Sequence, residues 1–160
     1  MALKPHRIEN RYTYDLSWYM DEVAERGGIV VASTVSSGTA LDQARSVVTY
    51  AANPSGSQPI GILLNDVVDK DLTQTRLQPL KSEQVINGKV TINGAGEYVT
   101  NMIYPGLTIS AQDKAYLGPS GLLTNAVVNN EVNTPYVGNF RTTKDADGYA
   151  TVKINLPSKA

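Results

Sequence analysis

The sequence predicts a mainly β protein, a small barrel or sandwich preceded by an extended N-terminal arm and one short helix. Three observations lead there. From Ile29 onward the chain is a series of short apolar, β-branched runs, among them IVVAST, VVTYA, IGILLNDVV, YVGNFRT and YATVKINL. Turn-forming stretches such as NPSGSQP, GPSG and KDADG separate them. Two Asn-Gly dipeptides, Asn87-Gly88 and Asn93-Gly94, break the segment EQVINGKVTINGAGEYVT, as expected of tight hairpins whose central residues take positive φ. Many short strands at close spacing form a barrel or sandwich because each must bury a face against another layer.

Taken in order, residues 1–14 carry Lys4, His6, Arg7 and Arg11 against one acid, Glu9, with Pro5 stiffening the start. They read as an extended basic arm. A short helix is expected next, with Asp15 as N-cap and Leu16, Tyr19, Met20 and Val23 on one face. Arg26 followed by Gly27-Gly28 would end it. The division is therefore an arm and helix over 1–26 and a β domain over 27–160. Within the β domain, the run Ile60–Val68 is too apolar for a strand buried on one face, and it is assigned to the domain core in preference to a subunit interface. YVGNFRT and YATVKINL around KDADG predict a C-terminal hairpin.

Composition narrows the function classes. A chain of 160 residues fits one domain, long enough to bury roughly two thirds of its unfolded surface. The formal net charge of -1 is too neutral to make nucleic acid the default partner. With no cysteine there is neither a disulfide framework nor a thiolate zinc site, which suits a reducing cytosol. No apolar run approaches the ~18 residues of a membrane span, and MALKPHRIEN is polar where a signal peptide would be apolar. A protein without a membrane partner is expected.

Signals for catalysis are weak. His6 is the only histidine, and an arm ahead of any folded element is a poor platform for a nucleophile, base and orienting acid. Asp66, Asp69 and Asp71, or Asp145 and Asp147, raise the question of calcium. In DADGYATVKINL, however, the Gly stands fourth and no Glu follows, so a turn held by aspartate side chains is preferred. GPSG and NGAG lack the Lys and the helix start of a phosphate loop. No catalytic, cofactor or metal residues are assigned, and no small-molecule substrate is expected.

The N-terminal stretch RYTYDLSWYM is the informative one. The chain has only 1 Trp, 1 Phe and 9 Tyr, yet four of these rings fall between Arg11 and Met20. Alternation in RYTYD puts Tyr12 and Tyr14 on one face of an extended segment. Tyr, Trp and Arg are enriched at interface hot spots, and strand addition is one way such a segment docks. Lys4, Arg7, Arg11, Tyr12, Tyr14, Trp18, Tyr19 and Met20 are therefore the candidate contact residues, with private packing against the domain core as the competing assignment.

The segments GGIVVASTVSSGTA, PIGILLNDVV, DKAYLGPSGLLT and VGNFRTTKDADGYATVKINL, behind a basic arm, resemble the small decoration (cement) proteins of tailed-bacteriophage heads. The likeness spans about residues 27–156 in its pattern of strands and turns, and residues 72–104 depart from it. The resemblance implies a β-tulip-like barrel, a homotrimer, and the major capsid protein as partner. It also implies a place on the capsid exterior of a virion, after synthesis in the host bacterial cytoplasm, with no enzymatic activity. The eight candidates above would then be capsid contacts. Two other readings stay open: another virion component such as a head-fibre base or tail-associated protein, and a small β-fold hydrolase or carbohydrate-binding protein.

Overall fold

The computed structural model describes residues 3–7, 14–33, 46–69, 83–126 and 134–156. These residues are mainly β, as expected. The strands are β1 (Leu3–Arg7), β2 (Tyr14–Met20), β3 (Ile29–Ala32), β4 (Val47–Thr49), β5 (Pro59–Leu63), β6 (Asp66–Val68) and β7 (Glu83–Val85). They continue as β8 (Lys89–Asn93), β9 (Ala95–Thr100), β10 (Lys114–Leu117), β11 (Leu123–Thr124), β12 (Tyr136–Phe140) and β13 (Ala150–Asn155). Strands β2-β4-β3-β5-β8 close into a barrel, and β1-β9-β13-β12-β10-β11 form a six-stranded sheet. Strands β6 and β7 make a small parallel pair.

Two apolar cores result. One, under the six-stranded sheet, collects Tyr98, Phe140, Leu117, Leu123, Val152 and Ile154; the other, inside the barrel, collects Met20, Val48, Val90, Ile92 and Val67. In β13 the alternation is regular: Ala150, Val152 and Ile154 are buried while Thr151, Lys153 and Asn155 face outward. Strands β3 and β5 do something different. Ile29, Val31 and Ile62 belong to the first core, whereas Val30 and Leu63 belong to the second. Both faces of these strands are buried, which is why their sequences are continuous apolar runs with no polar alternation. At Gly61 β5 approaches β8 too closely for a side chain, since a Cβ there would stand 2.5 Å from Cγ2 of Ile92 and 2.6 Å from the Asn93 carbonyl oxygen.

The expected helix after Asp15 is not formed. Residues 14–20 are strand β2, antiparallel to β8 and parallel to β4, with Trp18 opposite Val90 and Met20 opposite Val48. The Leu16, Tyr19, Met20, Val23 spacing fits a helix, but this strand closes the barrel between β4 and β8. Pairing on both sides outweighs a local preference of a few tenths of a kcal/mol per residue. The Asn-Gly hairpins are also corrected. Asn87 takes φ 65°, and the Gly88 N–H donates to the Val85 carbonyl at 2.8 Å. Yet β7 and β8, which flank this turn, belong to different sheets. At Asn93-Gly94 the chain leaves the barrel for the six-stranded sheet, and the Asn93 side chain accepts the Ala95 N–H at 3.1 Å. The run Ile60–Val68 divides into β5 and β6, and it does supply core through Ile62, Leu63 and Val67. The C-terminal hairpin forms as expected: β12 pairs with β13, and Oδ1 of Asp145 accepts the N–H groups of Asp147 and Tyr149.

Tyr50 joins the two halves. Its hydroxyl donates to the Glu25 carbonyl at 2.6 Å and accepts the Gly28 N–H at 3.3 Å. Its ring lies so close to the turn before β11 that a Cβ on Gly121, which has φ +73°, would fall 2.4 Å from Cδ1. Beside it, the Ser120 N–H donates to the Ala51 carbonyl and the Thr100 hydroxyl to the Gly27 carbonyl. The ring keeps some solvent contact, but the hydroxyl is enclosed by protein, and that burial holds its pKa well above the ordinary tyrosine range.

Tyr50→Phe strands the Gly28 N–H and the Glu25 carbonyl, so it should lower stability by about 1–3 kcal/mol in denaturant unfolding. Because the folded pKa is raised, the wild type keeps this contribution below a pH of about 10 and loses stability as pH rises above it. The difference between wild type and Tyr50→Phe should shrink over that alkaline range.

Candidate functional site

The N-terminal segment is woven into both halves of the fold. Leu3 is buried in the core under the six-stranded sheet, which fixes β1 along β9. Among the described residues β1 pairs on one side only, so it is an edge of that sheet. Its register sets Lys4 opposite Val99 and Arg7 opposite Glu97, with an irregularity between Pro5 and Arg7. Proline has no N–H for a ladder, so an edge strand is where it is tolerated. Such an edge presents backbone donors and acceptors to any strand laid along it.

The register continues across the sheet. Glu97 is opposite Lys153, Lys153 opposite Asn139, and Asn139 opposite Lys114. These positions share the outward face, because their neighbours Tyr98, Val152, Ile154 and Ala115 are buried. Tyr116 lies two residues beyond Lys114 on the same face and meets Tyr136 edge-on, ring centroids 6.0 Å apart at 72°. The Tyr136 hydroxyl donates to Oδ1 of Asn139. A surface of Lys153, Lys114 and the Tyr116–Tyr136 pair, with Glu97 among them, thus extends inward from the N-terminal edge. Lys114, Tyr116, Tyr136 and Lys153 were not among the sequence candidates, since three separate strands bring them together. The alternation in KAYL and ATVKIN marks each as outward-facing, but no local signal relates one strand to another.

The candidates on β2 divide. Tyr14 is opposite Asn93 by register. Trp18 is half-buried and packs against the barrel core, and Tyr19, also half-buried, lies 5.9 Å from the Lys89 Nζ. Met20 is fully buried inside the barrel, so its assignment as a contact residue is corrected to core. Arg11 and Tyr12 lie outside the described residues.

Carboxylates elsewhere hold turns together. Glu22 Oε1 accepts from the Thr49 hydroxyl and the Tyr50 N–H. Asp66 accepts the Arg26 N–H at 2.9 Å and stands 3.6 Å from its Nε. Asp113 accepts from the Asn125 side-chain amide at 2.8 Å and the Ser110 N–H at 2.9 Å, and these bonds, the former first, hold its carboxyl below the usual range. Among the described residues no group of three or more His, Cys, Asp or Glu is placed to hold a metal ion, and no helix is long and apolar enough to cross a membrane. Asp71 lies outside the described residues.

Comparison with known proteins finds no matching family model and no matching curated relative. The surface therefore has to be judged by its own geometry. Met20→Ala should cost about 2–5 kcal/mol of stability, as a full barrel-core truncation. Tyr19→Ala should cost much less, its contact with Lys89 being worth about 0.5–1 kcal/mol at an exposed site. Equal losses in thermal or denaturant unfolding would place Tyr19 in the core as well.

Proposed function

We propose that this is a non-enzymatic structural protein of a bacteriophage virion, which binds the outer surface of the expanded head as a homotrimer and stabilises it. The observation that carries the reading is the N-terminal edge strand β1, seated on its sheet by Leu3, whose sequence includes Lys4 and Arg7. Strand addition gives affinity through main-chain hydrogen bonds, and the two basic residues favour an acidic neighbour on the shell. The resemblance supports the same reading. Its segments fall on β3, on β5 with β6, on β10 with β11, and on the β12–β13 hairpin.

An edge contact of five residues is small, and association costs several kcal/mol before any affinity appears. Three linked copies would make the later contacts intramolecular, raising overall avidity by ~10²–10⁴. That is how a modest contact holds a shell. The partner is then the major capsid protein, and the place of action is the capsid exterior.

The test is co-sedimentation of the purified protein with expanded, undecorated heads. Wild type should bind saturably, and Lys4→Glu with Arg7→Glu should weaken binding about tenfold or more while the melting temperature stays near wild type. Binding unchanged by the charge reversals would remove β1 from the contact. No binding of the wild type at any concentration would overturn the capsid role.

A further inference from the structure

The barrel carries a second surface, of opposite character. The pairing of Ala24 with Val67 sets Val23 beside Val68, and Val68 is opposite Val85 in the parallel β6–β7 pair. The other side of this small sheet is spent on the barrel core, where Ala24 and Val67 are buried. The outward side is a row of three valines, with Val23 61% and Val85 43% exposed, the exposed large hydrophobics among the described residues. The three short segments that carry them, 21–25, 66–69 and 83–85, hold six carboxylates; Glu22 is bonded to Thr49 and Tyr50 and Asp66 to Arg26, and Asp21, Glu25, Asp69 and Glu83 form the rim.

The outward face of the six-stranded sheet is its complement. Strands β10, β12 and β13 hold Lys114 and Lys153 around the Tyr116–Tyr136 pair, and among the described residues the one acid on this face is Glu97 of β9, opposite Lys153. We propose that the valine row docks a second copy of this chain, its carboxylate rim against Lys114 and Lys153 and its valines against Tyr116 and Tyr136. Both halves of the contact are thus on the same polypeptide. A two-fold contact of the valine face with itself would bring the four rim carboxylates against four, which disfavours it. The contact is therefore heterologous, head to tail, and such a contact closes into a ring when its rotation permits. Apolar centre and charged rim are the ordinary anatomy of a protein interface. The β1 edge lies at the far side of the sheet from β10 and stays open in this arrangement.

The inference deepens the homo-oligomer part of the reading above, and its test is independent of the heads. The chain has no cysteine, so single introduced thiols give a clean readout. Val85→Cys and Tyr116→Cys proteins, each checked for a wild-type melting profile, are mixed under mild oxidation. The expected result is a Val85–Tyr116 cross-linked heterodimer well above the statistical share, with little of either homodimer. Asp69→Lys or Lys114→Glu alone should weaken self-association in sedimentation velocity about tenfold, and the two together should restore it. A monomeric wild type, statistical cross-linking, or no rescue by the paired reversal would each overturn the proposal. Heads decorated by a monomeric wild type would sink this contact and leave the capsid reading standing.

Discussion

The double-sided burial of β3 and β5 is the constraint on which the rest of the structure depends. These two strands form the wall between the barrel and the core under the six-stranded sheet, sending Ile29, Val31 and Ile62 one way and Val30 and Leu63 the other. Because the period of a strand is two, a slip of one residue would exchange the two sets and put each into the wrong core. The wall therefore fixes the register of both halves at once. Tyr50 and the backbone bonds around Gly27, Ala51 and Ser120 then lock the halves at their margin, where polar groups would otherwise be buried without partners.

The sequence revealed much of this, and its failures have physical causes. The apolar runs IVVAST and Ile60–Val68 marked β3 and β5, the second as core, and YVGNFRT and YATVKINL around KDADG marked the hairpin of β12 and β13. The residues after Asp15 were misleading because an apolar spacing of three and four is available to a helix, while the partners that make it a strand, Val47, Val48 and Val90, are far away in the chain. The Asn-Gly dipeptides did mark sharp changes of direction. A turn signal carries no information on whether the flanking strands pair with each other or diverge into separate sheets, and here they diverge. The candidate surface was legible at its N-terminal rim, through Lys4 and Arg7, and hidden across its width. Lys114, Asn139 and Lys153 are neighbours only through strand pairing.

Charge is distributed with the same division of labour. The chain as a whole is nearly neutral, at -1, yet that balance conceals an acidic rim around the valine row and an outer sheet face where, among the described residues, Lys114 and Lys153 stand with a single acid, Glu97. Net charge describes solubility and long-range steering; it is the local separation of signs that lets one surface recognise another. The two surfaces lie on different halves of the fold, which are joined by the β3–β5 wall and by Tyr50.

The order of strands in the six-stranded sheet has a consequence for the way the molecule is made. β1 precedes the other strands in the chain, but it pairs with β9, where Leu3 lies opposite Thr100. β13, near the other end of the described chain, sits between β9 and β12. The sheet thus lacks an interior strand until residues 150–155 leave the ribosome, and the first segment must wait with its apolar Leu3 unshielded. Long-range pairing of this kind makes folding slow and leaves unpaired edges exposed meanwhile. Until that strand arrives, the partial sheet is an aggregation hazard of the kind that chaperones cover.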